Sequence, residues 1–118
     1  MSVCILIAGL PATGKSAFAN LLSRELGIPC LSKDGIKESL FDTLGFQSRA
    51  EKVKLGEAAY RILLDQAESM LKNGLTIALE NNFEDSSRAP LMAMLEKTDA
   101  KPVTVMFDGD LAASTRVF

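Results

Sequence analysis

The 118-residue chain predicts a three-layer α/β domain built on a parallel sheet, and three observations carry that expectation. Apolar runs containing β-branched residues alternate with segments of helical periodicity, the pattern of a parallel sheet covered on both faces. The first run, Val3-Cys4-Ile5-Leu6-Ile7-Ala8, leads into Gly9-Leu10-Pro11-Ala12-Thr13-Gly14-Lys15-Ser16, which fits G-x-x-x-x-G-K-[ST]. A helical segment with Phe18, Leu21, Leu22 and Leu26 along one side follows at once, so the motif stands in the strand–loop–helix setting that its chemistry requires.

The elements follow in order. The first strand covers 3–8 and the first helix 15–26, stopped by Gly27 and Pro29. A short second strand at 29–32 leads to Asp34, which can cap a helix carrying Ile36, Leu40 and Leu44 on one face and closed by Gly45. Ser48-Arg49-Ala50-Glu51 is a capping-box pattern. It opens a long helix over 48–73 in which Val53, Tyr60, Leu64, Ala67 and Leu71 recur at helical spacing. Asn73-Gly74 ends that helix, Leu75–Leu79 is the third strand, and a helix occupies 87–97. Val103–Phe107 is the fourth strand, and Asp110 has the form of an N-cap for a last helix carrying Leu111, Val117 and Phe118.

Bulk properties narrow the functions. At 118 residues there is room for one domain with one modest core, and residues 1–118 are read as such. The net charge is −2 with acids and bases interleaved, which gives no basic footprint for duplex nucleic acid. No apolar run approaches the ~20 residues of a membrane span. Cys4 and Cys30 fall in two strands and read as buried free thiols, pointing to a cytoplasmic protein. The chain contains no histidine, which excludes histidine-ligated metals, histidine general bases and Ser-His-Asp catalysis.

The glycine loop supplies the first chemistry. Glycines let the chain fold back so that successive N–H groups point inward around an anion. The following helix adds unpaired N–H groups and the positive end of its dipole. The nucleotide-binding set is therefore Gly9, Leu10, Pro11, Ala12, Thr13, Gly14, Lys15, Ser16 and Ala17. Lys15 would reach the β- and γ-phosphates and the Ser16 hydroxyl would ligate Mg²⁺. In a parallel sheet the ligand lies beyond the C-terminal strand ends, which brings in Asp34, Glu80 and Asp108. Asp34 is either a general base, with Lys37 one turn on holding an anionic group, or a plain helix cap. Glu80 closes the apolar strand Thr76-Ile77-Ala78-Leu79 as a Walker-B-like acid. Asp108, which also ends an apolar strand, competes for that role.

Taken together, the glycine loop, Leu31-Ser32-Lys33-Asp34-Gly35-Ile36-Lys37-Glu38, and Leu79-Glu80-Asn81-Asn82-Phe83 with Arg88 resemble the small P-loop kinases that phosphorylate hydroxyl groups. That group includes 5′-polynucleotide kinases, chloramphenicol phosphotransferases and zeta-toxin kinases, and the resemblance spans roughly 3–108. It implies sheet order 2-3-1-4 and transfer of the ATP γ-phosphate, with Mg²⁺, to a hydroxyl of a small-molecule acceptor. Asp34 would be the general base, with Lys15 as its catalytic companion on the phosphates. Lys37, Asn82 and Arg88 would contact the acceptor, although Arg88 equally suits an exposed helix turn. Glu80 would hold Mg²⁺ with Ser16 or orient the acceptor, and it is preferred to Asp108 because strand three neighbours the loop strand in this group. Two other readings stay open: a nucleotide-binding module without acceptor chemistry, and a polynucleotide 5′-kinase.

Kinases of this group continue into an arginine-bearing lid and a last strand. The sequence stops first, so the expectation is a C-terminally shortened domain whose fifth strand is missing. Arg116 is the one candidate for a lid arginine, and strand 103–107 is left as an open edge that invites a homodimer.

Overall fold

A computed structural model describes residues 2–9, 14–81, 85–107 and 113–117. The elements are β1 (Val3–Gly9), α1 (Lys15–Leu26), β2 (Cys30–Ser32), α2 (Lys33–Leu44), α3 (Arg49–Lys72), β3 (Ile77–Glu80), α4 (Asp85–Thr98), β4 (Lys101–Phe107) and β5 (Ala113–Val117). They form one sheet of order β2-β3-β1-β4-β5. The first four strands are parallel, in the expected 2-3-1-4 order.

Alternation along β1 and β3 makes the three layers, because successive side chains leave a strand on opposite faces. Cys4, Leu6, Ile77 and Leu79 pack against Leu63, Ala67 and Leu71 of α3 and Leu91, Met94 and Leu95 of α4. Ile7 and Ala78 face the other way, onto Ala19 and Leu22 of α1. Burial of Cys4 in that core pushes its thiol up to about 12, so it stays protonated and inert. Cys30 is also free, half-buried and raised, and its Sγ donates to the Ala19 carbonyl at 3.1 Å.

Three sequence expectations are corrected by packing. Leu21 and Leu26, placed on the inner side of α1, are exposed, as is Leu44 of α2. Val53, counted in the inward stripe of α3, is also exposed, since the buried residues of that helix begin at Ala59. The 24 residues of α3 run about 36 Å, against about 13 Å for the four residues of β3. Its N-terminal half therefore overshoots the sheet and packs on α2 instead. The cap of α2 is Ser32 and not Asp34: the Ser32 hydroxyl accepts from the Gly35 N–H at 3.2 Å, leaving Asp34 in the first turn. The capping box of α3 forms in modified shape. Ser48 Oγ accepts from the Glu51 N–H at 3.1 Å, while the Glu51 carboxylate accepts from the Gln47 N–H one residue earlier than usual.

The expected ending is also corrected. Residues 113–117 are not helix. They form β5, antiparallel to β4 with Val103 opposite Val117 and Phe107 opposite Ala113. A fifth strand is thus present. The β4 edge is paired, and the homodimer expected through that open edge loses its premise. Side-chain alternation allows either structure for Ala113-Ser114-Thr115-Arg116-Val117; the unpaired N–H and C=O groups of β4 favour the strand. Arg116 takes the register position opposite Thr104. Asp108, Asp110, Leu111 and Phe118 lie outside the described residues.

Candidate functional site

The site lies at the C-terminal ends of β2, β3 and β1, with β2 and β3 ending level and β1 running on to Gly9. Ile7 pairs with Glu80, and Glu80 pairs with Ser32. β1 delivers the glycine loop to this edge. Gly9 and Gly14, at its two ends, have φ of +142° and +94°, a region that side chains with a Cβ disfavour. Leu10, Pro11, Ala12 and Thr13 lie outside the described residues.

Helix α1 begins at the loop with Gly14 as N-cap, no side-chain cap and no acid in its first turn. By contrast α2 and α3 are closed by Ser32 and Ser48. No side-chain cap of its own therefore closes that N-terminus against an anion. Lys15 is 6% exposed and its Nζ donates to the Gly9 carbonyl at 3.0 Å, across the mouth of the loop. Ala17 is exposed on the first turn of α1.

Ser16 Oγ donates to Glu80 Oε1 at 2.8 Å. This joins the first turn of α1 to the end of β3 over 64 residues of sequence and pairs Glu80 with the loop. The two oxygens also suit a shared divalent ion. Neighbouring ligands of an octahedral Mg²⁺, with Mg–O of about 2.0–2.1 Å, stand about 2.9 Å apart. The described residues contain no cluster of three acidic or thiol groups that would hold a metal on its own. Any ion here would need phosphate and water oxygens to complete its shell, as Mg²⁺ in nucleotide sites does.

Asp34 sits two residues past Ser32, and β2 is separated from β1 by β3 alone. Its backbone is thus about 10 Å across the sheet edge from the loop strand. Asp34 is solvent-exposed and pairs with Lys37 Nζ at 3.5 Å, one helical turn on. Arg88 is exposed in the first turn of α4, and Asn82 lies outside the described residues. The neighbouring Asn81 is buried, with its N–H donating to the Ile7 carbonyl at 3.1 Å.

Beside Asp34 opens a cleft of about 1180 Å³ between α2, the overshooting half of α3 and the start of α4. Lys37 lines it, as do Tyr60 and Val53, whereas Asp34 and Arg88 do not. Tyr60 fixes one wall: its hydroxyl donates to the Ser87 carbonyl at 2.7 Å, tying α3 to α4. Burial pushes the Tyr60 phenol above its ordinary value of 10.0, so it remains a donor. Pro90 within α4 supplies no N–H to the Ser86 carbonyl, and both residues line the same wall. The sequence reading passed over Lys33, Arg49 and Lys52 of this cleft. The signal available was that Lys33 and Arg49 are the first residues of α2 and α3, where the helix dipole disfavours cations.

A parallel sheet with the glycine loop between β1 and α1, the order 2-3-1-4 and an acid from β3 on the loop serine define a P-loop domain of the kinase type. The chain belongs to the AAA domain family AAA_33, which matches residues 4–116. Its structure is similar to that of a putative kinase from Chloroflexus aurantiacus, with a TM-score of 0.84 and 30% identity, over 90% of this chain and 59% of that one. The chain thus spans about three-fifths of the Chloroflexus protein. A second solved structure, a mutant of the APS kinase of Mycobacterium tuberculosis, aligns with a TM-score of 0.63 at 23% identity, over 96% of this chain and 80% of that one, and shares the fold. No curated protein matches the sequence. Among the described residues no helix is long and apolar enough to cross a membrane.

Proposed function

We propose that the chain is an ATP-dependent kinase that transfers the γ-phosphate to a hydroxyl of a small-molecule acceptor. The observation that carries this reading is the Ser16–Glu80 hydrogen bond of 2.8 Å, at an uncapped helix N-terminus, with Asp34 and an open cleft alongside. An anion site with a paired metal-side acid serves nucleotide hydrolysis as well as transfer. An exposed carboxylate paired with Lys37, which lines an acceptor-sized cleft, is the part specific to transfer. The resemblance of the motifs around Asp34 and Glu80 to kinases acting on hydroxyl groups supports the same choice.

In this reading the loop N–H groups and the α1 N-terminus hold the β- and γ-phosphates, and Lys15 leaves the Gly9 carbonyl to neutralise them. Ser16 and Glu80 would hold Mg²⁺, which when bound offsets charge on the phosphate oxygens. Asp34 accepts the proton of the acceptor hydroxyl, whose oxygen attacks the γ-phosphorus as the bond to the β-phosphate oxygen breaks and ADP leaves. Lys37 holds the acceptor beside Asp34.

Asp34→Asn tests the reading. Across a panel of hydroxyl compounds, ADP release stimulated by an acceptor should fall by about 10²–10⁴, with ATP affinity retained. Full stimulated release in the variant removes Asp34 as base. ATP binding with no stimulation by any hydroxyl compound favours a nucleotide module without acceptor chemistry.

A further inference from the structure

We propose that the acceptor taken by the α2–α3–α4 cleft is a small hydroxyl compound that carries its own anionic group, a phosphate or carboxylate, beside a planar ring. The inference deepens the kinase reading and rests on it for the word acceptor, but its observations are independent of the phosphate loop.

Four cations, Lys33, Lys37, Arg49 and Lys52, line the cleft against the single acid Glu57, in a chain whose net charge is −2. Lys37 is paired with Asp34. The other three make no ion pair with any described residue; rings hold two of them. Lys52 Nζ stands 5.5 Å from the Phe46 centroid and 6.0 Å from that of Phe41, and Lys33 Nζ stands 5.7 Å from the Tyr60 centroid. Aromatic faces keep an ammonium in place without neutralising it, so the charge stays available to a ligand.

Placement gives a second reason. Lys33 and Arg49 open α2 and α3, where like-signed dipole charge makes a cation unfavourable. The same arrangement, a cation as first residue of a helix, occurs at Lys15 beside the phosphate loop. An anion in the cleft near either helix start would reverse the sign of that penalty. The cleft also offers an apolar aromatic wall, since Phe41 and Phe46 meet at 4.9 Å between centroids with a 60° tilt, next to Val53. A ring laid there leaves the anionic end to Arg49 and Lys52.

A small occupant fits better than a polynucleotide. The outward residues of α2 and α3 mix both signs, Glu38, Asp42, Glu51 and Asp65 with Lys54 and Arg61, and Arg61 is paired with Asp65 at 3.4 Å. Among the described residues of these helices the charges alternate in sign, and no unbroken basic track carries a phosphate backbone away from the cleft.

The probes are 4-(hydroxymethyl)phenyl phosphate and its neutral counterpart 1,4-benzenedimethanol, titrated calorimetrically into the full chain with and without Mg²⁺ and a non-hydrolysable ATP analogue. The expected result is about tenfold tighter binding of the phosphate, weakened about threefold by Lys52→Ala and by Arg49→Ala, and falling with salt. Thermal melting of both variants checks that they fold. Equal affinity for the two probes, indifference to both variants, or loss of phosphate binding when the ATP analogue fills the loop would overturn the inference. A 5′-hydroxyl oligonucleotide that displaces the probe at lower concentration and loses affinity in both variants would also overturn it, in favour of a polynucleotide end. ADP release separates the two readings. Preference for the phosphate with the predicted variant effects, but no ADP released from either probe or from other anionic alcohols, sinks the kinase reading and leaves the anion cleft standing.

Discussion

Replacing Lys15 by methionine should separate the stability of the empty protein from its capacity to hold nucleotide. Lys15 is 6% exposed and its ammonium donates to the Gly9 carbonyl at 3.0 Å, so in the empty protein the charge is held against backbone oxygen. Methionine keeps the packing of the stem without that charge, and the melting temperature without ligand should hold or rise slightly. Binding should respond in the opposite sense. For 118 residues the entropy of unfolding near the midpoint is about 0.25 kcal/mol/K. ATP with Mg²⁺ at a hundred times its Kd stabilises the parent by about 2.7 kcal/mol, a shift of about 10 °C. Losing a charge-assisted contact to the phosphates costs about 3 kcal/mol, roughly a hundredfold in Kd. The same nucleotide concentration then stabilises the variant by about 0.4 kcal/mol, under ~2 °C. Paired thermal melts with and without nucleotide read both quantities. A variant that melts about 10 °C higher with ATP, as the parent does, would refute the assignment of the loop as the phosphate site.

Other consequences follow from single contacts. Ser32→Ala removes the side-chain cap on the Gly35 N–H and should cost about 1 kcal/mol in denaturant unfolding. Asp34→Ala, which leaves that cap intact, should cost less than Ser32→Ala; the reverse order would return the capping role to Asp34. Tyr60→Phe deletes the 2.7 Å bond to the Ser87 carbonyl and should lower the melting temperature by about 4 °C, with an unchanged value showing that water replaces it. The Cys4 thiol titrates near 12 when folded against an ordinary 9.0, so above pH 9 the unfolded chain releases a proton that the native state keeps. Stability should therefore fall with rising pH between 9 and 12, by up to about 1.4 kcal/mol per unit from this group. Cys4→Ala should show a shallower decline, and parallel slopes in denaturant titrations would contradict the burial argument.

The amino-acid sequence was enough to place the first four strands, the helices between them and the glycine-loop motif, because each rests on local chemistry. The 2-3-1-4 order came with the resemblance to small kinases. Apolar runs of strand length, glycines at Gly9 and Gly14, and serine or glycine at helix ends act over a few residues. It also pointed to Glu80 as the partner of the loop serine, since an acid closing an apolar strand next to the loop strand can reach that place. Tertiary structure decided what depends on distant partners. Val53 and Leu64 carry the same helical stripe, yet Leu64 is buried against the sheet and Val53 lines a cleft, because α3 is longer than the sheet beneath it. Residues 113–117 pair with β4 although Asp110 reads as a helix cap, because the unpaired N–H and C=O groups of β4 outweigh a local preference. The cation cleft lines up Lys33 and Lys37 of α2 with Arg49 and Lys52 of α3 along an antiparallel helix pair. Charge proximity of that kind is a property of packing, and periodicity along the chain carries no record of it.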